Sequence, residues 1–334
     1  MRAKRPLTTI LRWVGPILLV GLGLGLSLII FLLAQESAAR NKYRAEYTPP
    51  GQMVSLKTHR IHLNCVGNGN PTVVFESDLD QYGSLSWDSV QGEIGKFTRA
   101  CSYDRAGIMW SEPGPLPRDG KMIASELSAV LAAAGEVRPY VLVGHAFGGA
   151  YARIFAGQNP DAVCGMVLVD SSHPEMFTRF AALGIEQAIP DRSIRPWVLI
   201  LSHLGMPRRF RGNQYHLSPQ VYDPQQAFLP ESSMTWFDES VESPNSLAQA
   251  GQYKHFGNIP LIVLASARPS IQVNSRDLQD AWLELQQELT SLSANSQLRT
   301  LKESGHYIQF DQPQAVIEAV RDVVQQCAPA SPAP

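Results

Sequence analysis

The sequence lacks an excess of charge of either sign. Its 334 residues include 28 Lys and Arg against 30 Asp and Glu, for a net charge of −2. A nucleic-acid-binding protein usually has a basic patch or a high pI, so this balance argues against a nucleic-acid partner. Only four residues are cysteine, which excludes a disulfide-dense mini-scaffold. No internal repeat is present, and the hydrophobic content of 44% predicts a folded chain with one large domain or two ordinary ones.

Patterns of metal ligands are also missing. His59 and His62 are the only two histidines close in sequence, and no cysteine or acidic pattern accompanies them. On an extended strand their odd spacing points the two rings to opposite faces, which does not suit a shared ion. The sequence therefore predicts neither a metal site nor a cofactor.

One long hydrophobic run is present, near the N-terminus. Residues 13–34 contain no charge, and a helix of this length spans about 33 Å, enough to cross a bilayer core. The leader 1–12 is basic and carries no acid, which predicts a single-pass protein whose N-terminus is cytoplasmic and whose remainder is extracytoplasmic, periplasmic or lumenal. The alternative is a cleaved signal peptide with Ser37-Ala38-Ala39 as its small-residue site, but its apolar region is usually only about 7–15 residues.

Beyond this run the sequence predicts five regions with different patterns. A polar stretch over 35–52 is interpreted as a linker. Strands alternate with helices over 53–170 and again over 259–327, which predicts a mostly parallel central sheet covered on both faces. Residues 171–258 break this alternation and are predicted to form an inserted helical cap. The tail 328–334 contains only Ala, Pro and Ser and is predicted to be disordered.

The most informative stretch is Val143–Gly149, which follows a predicted strand and opens a predicted helix. Gly144 and Gly148 flank its central position, which is the spacing of the nucleophile elbow G-x-S-x-G. Two further pieces lie in the expected order, Tyr103–Gly107 and the late Gly-His within Ser304–Tyr307. With these pieces the sequence resembles the α/β-hydrolase family, and the late His resembles the family's general base.

The resemblance implies an α/β-hydrolase fold over residues 53–327 and hydrolysis of carboxylic esters, as in serine esterases and lipases. Ala146 stands where that family has its serine, and a methyl group cannot attack a carbonyl. Loss of the nucleophile costs a triad enzyme about six orders of magnitude, so the chain is predicted to be inactive or nearly so. Asp78 and Met109 also replace usual glycines, at positions expected near the pocket mouth, where a carboxylate would oppose a developing negative charge.

Two explanations of Ala146 stay open, a deliberate serine-to-alanine change and a natural loss of catalysis. The two glycine replacements favour natural loss. Under the first explanation the chain is an esterase that has been inactivated by changing its serine to alanine. Under the second it is a pseudoenzyme that serves as a ligand-binding or scaffold module. The apolar predicted cap favours a small apolar ester or a lipid-like ligand in either case.

The resemblance also implies roles for the remaining site residues. His306 takes the place of the general base. The acid is either Asp170, which ends a predicted strand, or Asp277, which comes after the next one. The backbone N–H groups of Phe147 and Leu79 would form the oxyanion hole.

The strand order of the family suggests two cysteine pairs. Cys65 would lie beside Cys101, and Cys164 would lie near Cys327. Export from the cytoplasm permits disulfides, whereas four buried free thiols are the ordinary alternative.

Two clusters of charged residues lie outside the expected triad. Asp104 and Arg105 are interpreted as a structural ion pair beneath the pocket. Arg208, Arg209 and Arg211 form a basic patch that either meets anionic head groups or is a solvated loop.

Overall fold

The computed structural model describes residues 7–210, 212, 217–268 and 276–327. Half of the predicted basic leader and the whole of the predicted disordered tail lie outside the described residues, as does Arg211 of the basic patch.

The chain begins with one long helix, α1, which runs from Leu7 to Glu46. Among the described residues it is the one helix long and apolar enough to cross a membrane, and its apolar part is not buried against the rest of the chain. The predicted linker over 35–52 is wrong for its first two thirds, because α1 continues unbroken to Glu46. That stretch is rich in Ala, Arg, Glu, Gln and Lys, which favour helix, and the helix ends before Pro49 and Pro50.

An eight-stranded sheet forms the centre of the remaining chain, and the mostly parallel sheet expected from the sequence is confirmed. β3 to β8 are parallel, whereas β1 and β2 pair antiparallel with each other and β2 pairs antiparallel with β4. The spatial order is β1-β2-β4-β3-β5-β6-β7-β8. In chain order the strands are β1 (Gln52–Ser55), β2 (Arg60–Val66), β3 (Thr72–Glu76), β4 (Ala100–Tyr103), β5 (Tyr140–His145), β6 (Val163–Val169), β7 (Leu261–Ser266) and β8 (Ser296–Leu301).

Helices cover both faces of the sheet. The central strands are almost fully buried, and alternate residues feed two separate apolar cores, as the period of two requires. One core packs against α2 (Asp88–Ile94) and α12 (Pro313–Cys327). The short helix α11 (Ile308–Asp311) precedes α12 in the chain. The other packs against α3 (Gly120–Ala133), α4 (Phe147–Gln158) and α10 (Arg276–Leu289).

In the part of the chain that the structure describes, five α-helices lie between β6 and β7, and we call them the inserted helices. They are α5 (Met176–Ala182), α6 (Arg195–His203), α7 (Met206–Phe210), α8 (Pro219–Val241) and α9 (Ser243–Ala250). They cover the carboxyl ends of the parallel strands, which is where ligands bind in open α/β sheets.

All four cysteines are paired. A disulfide joins Cys65 on β2 to Cys101 on β4, whose Cα atoms are register partners in the sheet. A second joins Cys164 on β6 to Cys327 at the end of α12.

Candidate functional site

The sharp turn between β5 and α4 presents Ala146 at the carboxyl edge of the sheet. Its φ of 48° lies in the left-handed region that L-residues rarely adopt. Glycine is required at positions 144 and 148, because neighbouring backbone atoms leave no room for a Cβ atom there. A Cβ on Gly144 would lie 2.6 Å from the Cα of Gly149, and one on Gly148 would lie 2.2 Å from the backbone oxygen of Glu76. The methyl group of Ala146 therefore faces the cavity where the elbow of a hydrolase carries its nucleophile.

His306 lies in the loop after β8 and is held by Asp170. The His306 Nδ1 atom is 2.7 Å from Asp170 Oδ2. The other oxygen, Asp170 Oδ1, accepts hydrogen bonds from the Ser266 backbone N–H and the Trp282 indole N–H, each at 2.9 Å. Of the two acids that the sequence left open, the structure places Asp170 beside the imidazole, whereas Asp277 is exposed in the first turn of α10.

A second carboxylate, Asp78, occupies the middle of the site. Asp78 Oδ1 accepts a hydrogen bond from the Phe147 backbone N–H at 3.0 Å. Asp78 Oδ2 lies 3.9 Å from His306 Nε2. One donor of the expected oxyanion hole is therefore already bonded to a side chain of the protein, and Leu79 lies beside it in the cavity wall.

The charges of His306 and Asp78 stabilise each other. Burial alone would lower the pKa of His306, but the hydrogen bond to Asp170 and the interaction with Asp78 raise the pKa to about 10. Burial alone would raise the pKa of Asp78, but the interaction with His306 lowers this pKa to about 2. At neutral pH the site thus holds an imidazolium between two carboxylates. An imidazolium has no free nitrogen lone pair, so it cannot accept a proton as a general base.

His145, the variable residue of the elbow, is a functional neighbour that the sequence reasoning missed. It is fully buried, and its Nε2–H donates to the backbone oxygen of His306 at 2.9 Å. Burial, followed by the positive charge of His306, lowers the pKa of His145 to about 4, so its ring is neutral at neutral pH. It fixes the loop that carries the imidazolium without adding a second charge.

The ion pair expected between Asp104 and Arg105 is wrong, because each has another partner. Arg105 Nη1 is 3.1 Å from Glu76 Oε1, and Arg105 Nη2 is 2.9 Å from Glu239 Oε2. Asp104 Oδ2 instead lies 2.7 Å from Nδ1 of the buried His62. Burial raises the pKa of Glu76 to about 7, although Arg105 acts in the opposite direction.

Arg105 also holds the loop that presents the extra carboxylate. Its Nη2–H donates to the backbone oxygen of Asp78 at 2.6 Å, and its Nη1–H donates to that of Ser77 at 2.8 Å. The guanidinium is almost completely buried. The backbone that carries Asp78 is therefore held by a buried guanidinium.

Met109, the other replaced glycine, does not lie at the pocket mouth as expected. Its φ of 47° again favours glycine, but its side chain is buried against Ala227 and Phe228 of α8. The Met109 backbone N–H donates to Ser232 Oγ at 3.0 Å. Met109 therefore packs against an inserted helix and does not line the cavity.

A cavity of about 1020 Å³ lies between the sheet edge and the inserted helices. Ala146, Asp78 and His306 line it at one end. The remaining wall is mainly apolar and comes from α5 to α8 and α10, with Met176, Phe177, Phe180, Val198, Leu201, Met206, Phe210, Trp236, Phe237 and Trp282.

One cluster of metal-ligand side chains without a disulfide lies outside this cavity, among the described residues. The ligand atoms of His173, Glu175 and Glu288 lie within 4.8 Å of one another. Both carboxylates are exposed, and exposed acidic groups of this kind are common without an ion. In the other cluster of the described residues the sulfurs of Cys65 and Cys101 already form a disulfide.

Comparisons with known proteins agree with this architecture. The sequence model of the alpha/beta hydrolase family matches residues 68–319. The chain is 27% identical over 269 residues to the uncharacterized protein YqjL of Bacillus subtilis, with 79% of this chain and 88% of that protein covered. It is 30% identical over 142 residues to an uncharacterized vacuolar membrane protein of Saccharomyces cerevisiae, with 37% of this chain but only 22% of that protein covered.

Among solved structures, the fold is similar to that of a thermophilic esterase from Thermogutta terrifontis. The TM-score is 0.58 at 16% identity, and the match covers 82% of this chain and 97% of the esterase. At this identity the likeness concerns the fold alone.

Proposed function

The chain belongs to the alpha/beta hydrolase family, and on that premise we propose that it binds a neutral, lipid-like ligand without hydrolysing it. The observation that carries this proposal is the position of Asp78. Its carboxylate is bonded to the Phe147 N–H and paired with His306, at the place where a hydrolase would hold the reacting carbonyl.

Three features of the site act against ester hydrolysis. Ala146 offers no nucleophilic oxygen. The Phe147 N–H donates to a carboxylate and is not available to stabilise a developing oxyanion. His306 carries a proton at neutral pH, because its pKa is raised to about 10. The same protonation argues against His306 as a general base acting without a nucleophile.

The cavity favours an apolar ligand with an uncharged polar end. About 1020 Å³ is enough for a molecule of lipid-like size, and most of the wall is apolar. At the polar end, one imidazolium faces two carboxylates, so the local charge is negative. A fatty acid anion would be repelled there, whereas an ester or an alcohol would not.

Ester hydrolysis is the second candidate, for a form of the chain that carries serine at position 146. The contact between His306 and Asp170 favours it, because this pair has the geometry of the base and acid in a triad. The extra carboxylate at Asp78 would still have to be removed before such a form could work.

We further propose a single-pass topology in which α1 spans the membrane and the inserted helices form a cap over the cavity. The basic N-terminal flank supports a cytoplasmic N-terminus. The two disulfides support an oxidising, extracytoplasmic compartment for the folded part, since disulfides are rare in the cytosol.

Native mass spectrometry of the full chain released from detergent micelles tests ligand binding. We expect a one-to-one adduct with 1-monooleoylglycerol and little or none with oleate. Val198→Asp places a charge in the cavity wall and should reduce the adduct strongly. Val137→Asp makes the same change at an exposed, remote side chain and should leave the adduct unchanged. Equal adducts in the two variants, or none in the unmodified chain, would contradict the proposal.

A further inference from the structure

Helices α6 and α7 carry apolar side chains on two faces. The inner face lines the cavity through Val198, Leu201 and Met206. The outer face leaves Trp197 66% exposed and Ile200 48% exposed, and neither of these two lines the cavity. An apolar outer face of this kind marks a surface that meets another apolar phase.

Polar contacts fasten these two helices to α1. Arg208 Nη1 lies 2.8 Å from Glu36 Oε2, and Glu36 is only 3% exposed. Arg40 Nη2–H donates to the backbone oxygen of Ser202 at the end of α6, at 3.1 Å. The interpretation of Arg208 as a free head-group ligand is therefore wrong, because its guanidinium is bonded within the protein.

The place of these contacts along α1 decides where α6 and α7 lie. Glu36 comes two residues after Ala34, the last residue of the charge-free run, which is about 3 Å along a helix axis. If that run crosses the membrane, α7 is held at the boundary of the hydrocarbon core. Phe210 at the end of α7 is 83% exposed and also lines the cavity, so it joins the outer surface to the interior.

We propose that the outer face of α6 and α7 lies in the interfacial layer of the lipid bilayer. There it forms the entrance by which a membrane-dissolved ligand reaches the cavity. The occupant is a lipid surface and not a second protein, because the face is continuous with the helix that spans the membrane. Tryptophan and aliphatic side chains on one face of a short helix suit this layer. The position of the helices rests on the proposed membrane-spanning α1, and the route of the ligand rests in addition on the proposed ligand binding.

Spin labels on the full, oxidised chain in phosphatidylcholine nanodiscs test the position. A nitroxide is attached at Ile200→Cys on the outer face and, as a matched control, at Val137→Cys, which is exposed and lies before β5. Relaxation by oxygen, which concentrates in lipid, is compared with relaxation by a water-soluble nickel chelate. We expect the label at 200 to respond mainly to oxygen and the label at 137 mainly to nickel. A nickel response at 200 equal to that at 137 would overturn the proposal, and so would protection from both reagents, which indicates a protein partner.

Uptake from vesicles tests the route. Trp197→Ser with Ile200→Ser changes only the outer face, so the cavity and the fold should be preserved. We expect 1-monooleoylglycerol to load several-fold more slowly from phosphatidylcholine vesicles, with an unchanged adduct in micelles. An unchanged loading rate would overturn the route. Absence of the adduct in micelles, even for the unmodified chain, would instead defeat the proposed function and leave the spin-label result to stand.

Discussion

Replacing Ala146 by serine should not by itself restore ester hydrolysis, because Asp78 blocks the site in two ways. It occupies the Phe147 N–H, and loss of one oxyanion donor costs about 10²–10³ in kcat. Together with Asp170, which has the larger effect, it also raises the pKa of His306 to about 10, so the imidazole is mostly protonated at pH 7. Removal of the carboxylate frees the Phe147 N–H and reduces the rise in the His306 pKa, to which Asp170 still contributes. Ala146→Ser combined with Asp78→Gly should therefore exceed Ala146→Ser alone by at least ~10² in kcat/KM.

A set of four variants separates the two effects. Hydrolysis of p-nitrophenyl butyrate is followed from pH 6 to 10 for Ala146→Ser alone and for Ala146→Ser combined with Asp78→Gly, Asp78→Asn or Asp78→Ala. We expect the rate of Ala146→Ser alone to rise toward pH 10, since the proton leaves His306 only there. Asp78→Asn removes the charge but keeps an oxygen that can accept the Phe147 N–H. It should move the pH profile to lower pH, although Asp170 remains, with a smaller gain in kcat than Asp78→Gly.

Two results would refute this reasoning. The first is a rate of Ala146→Ser at pH 7 that equals the rate of the Asp78→Gly combination. The second is a flat pH profile for Ala146→Ser alone, because that would show that His306 is already neutral and that Asp78 does not control its proton. Circular dichroism and intact mass of every variant control for misfolding and loss of disulfides.

Three further predictions concern the protonation of His306, the buried charge of Arg105 and the two disulfides. The imidazole signals of His306 in NMR should titrate near pH 10, and the midpoint of this titration should fall in Asp78→Asn. The contribution of protonated His306 to the free energy of unfolding should be complete below pH ~6.5 and should decline as the pH rises through about 10. Arg105→Met should lower the free energy of unfolding by ~3–5 kcal/mol in chemical denaturation, because Glu76 and Glu239 lose their buried partner; a loss below 1 kcal/mol at neutral pH would contradict this. Alkylation should add no mass to the unreduced chain and four groups after reduction, and any addition before reduction would show a free thiol.

The fold was accessible from the sequence because its signals are local. The β-branched residues of Thr72–Phe75 and the apolar run Met166–Val169 predict buried strands, and both lie in the sheet. Gly144 and Gly148 predict a turn that only small residues allow, and the structure gives the close approaches that exclude a side chain there. Patterns of this kind depend on neighbours within a few residues, so they can be recognised without knowledge of the tertiary structure.

The arrangement of the site was less accessible, because it depends on contacts between distant residues. Asp170 and Asp277 both follow strands, and only the path of the chain shows that one faces His306 and the other faces solvent. Asp78 stands where the family resemblance implies a glycine, but its hydrogen bond joins it to Phe147, 69 residues later in the sequence, and has no local pattern. The charge of His306 follows from its contacts with Asp170 and Asp78, which lie far from it in the sequence.

The continuation of α1 to Glu46 matters for anyone who wishes to study the folded part without its anchor. A fragment that starts at Met53 would follow the boundary suggested by the sequence, yet it would discard Glu36 and leave the half-buried guanidinium of Arg208 without its counter-ion. It would also uncover the aromatic surface that Tyr43 and Tyr47 cover beside α8. A soluble version should therefore begin at Gln35, so that the roughly three helical turns up to Glu46 stay with the folded part.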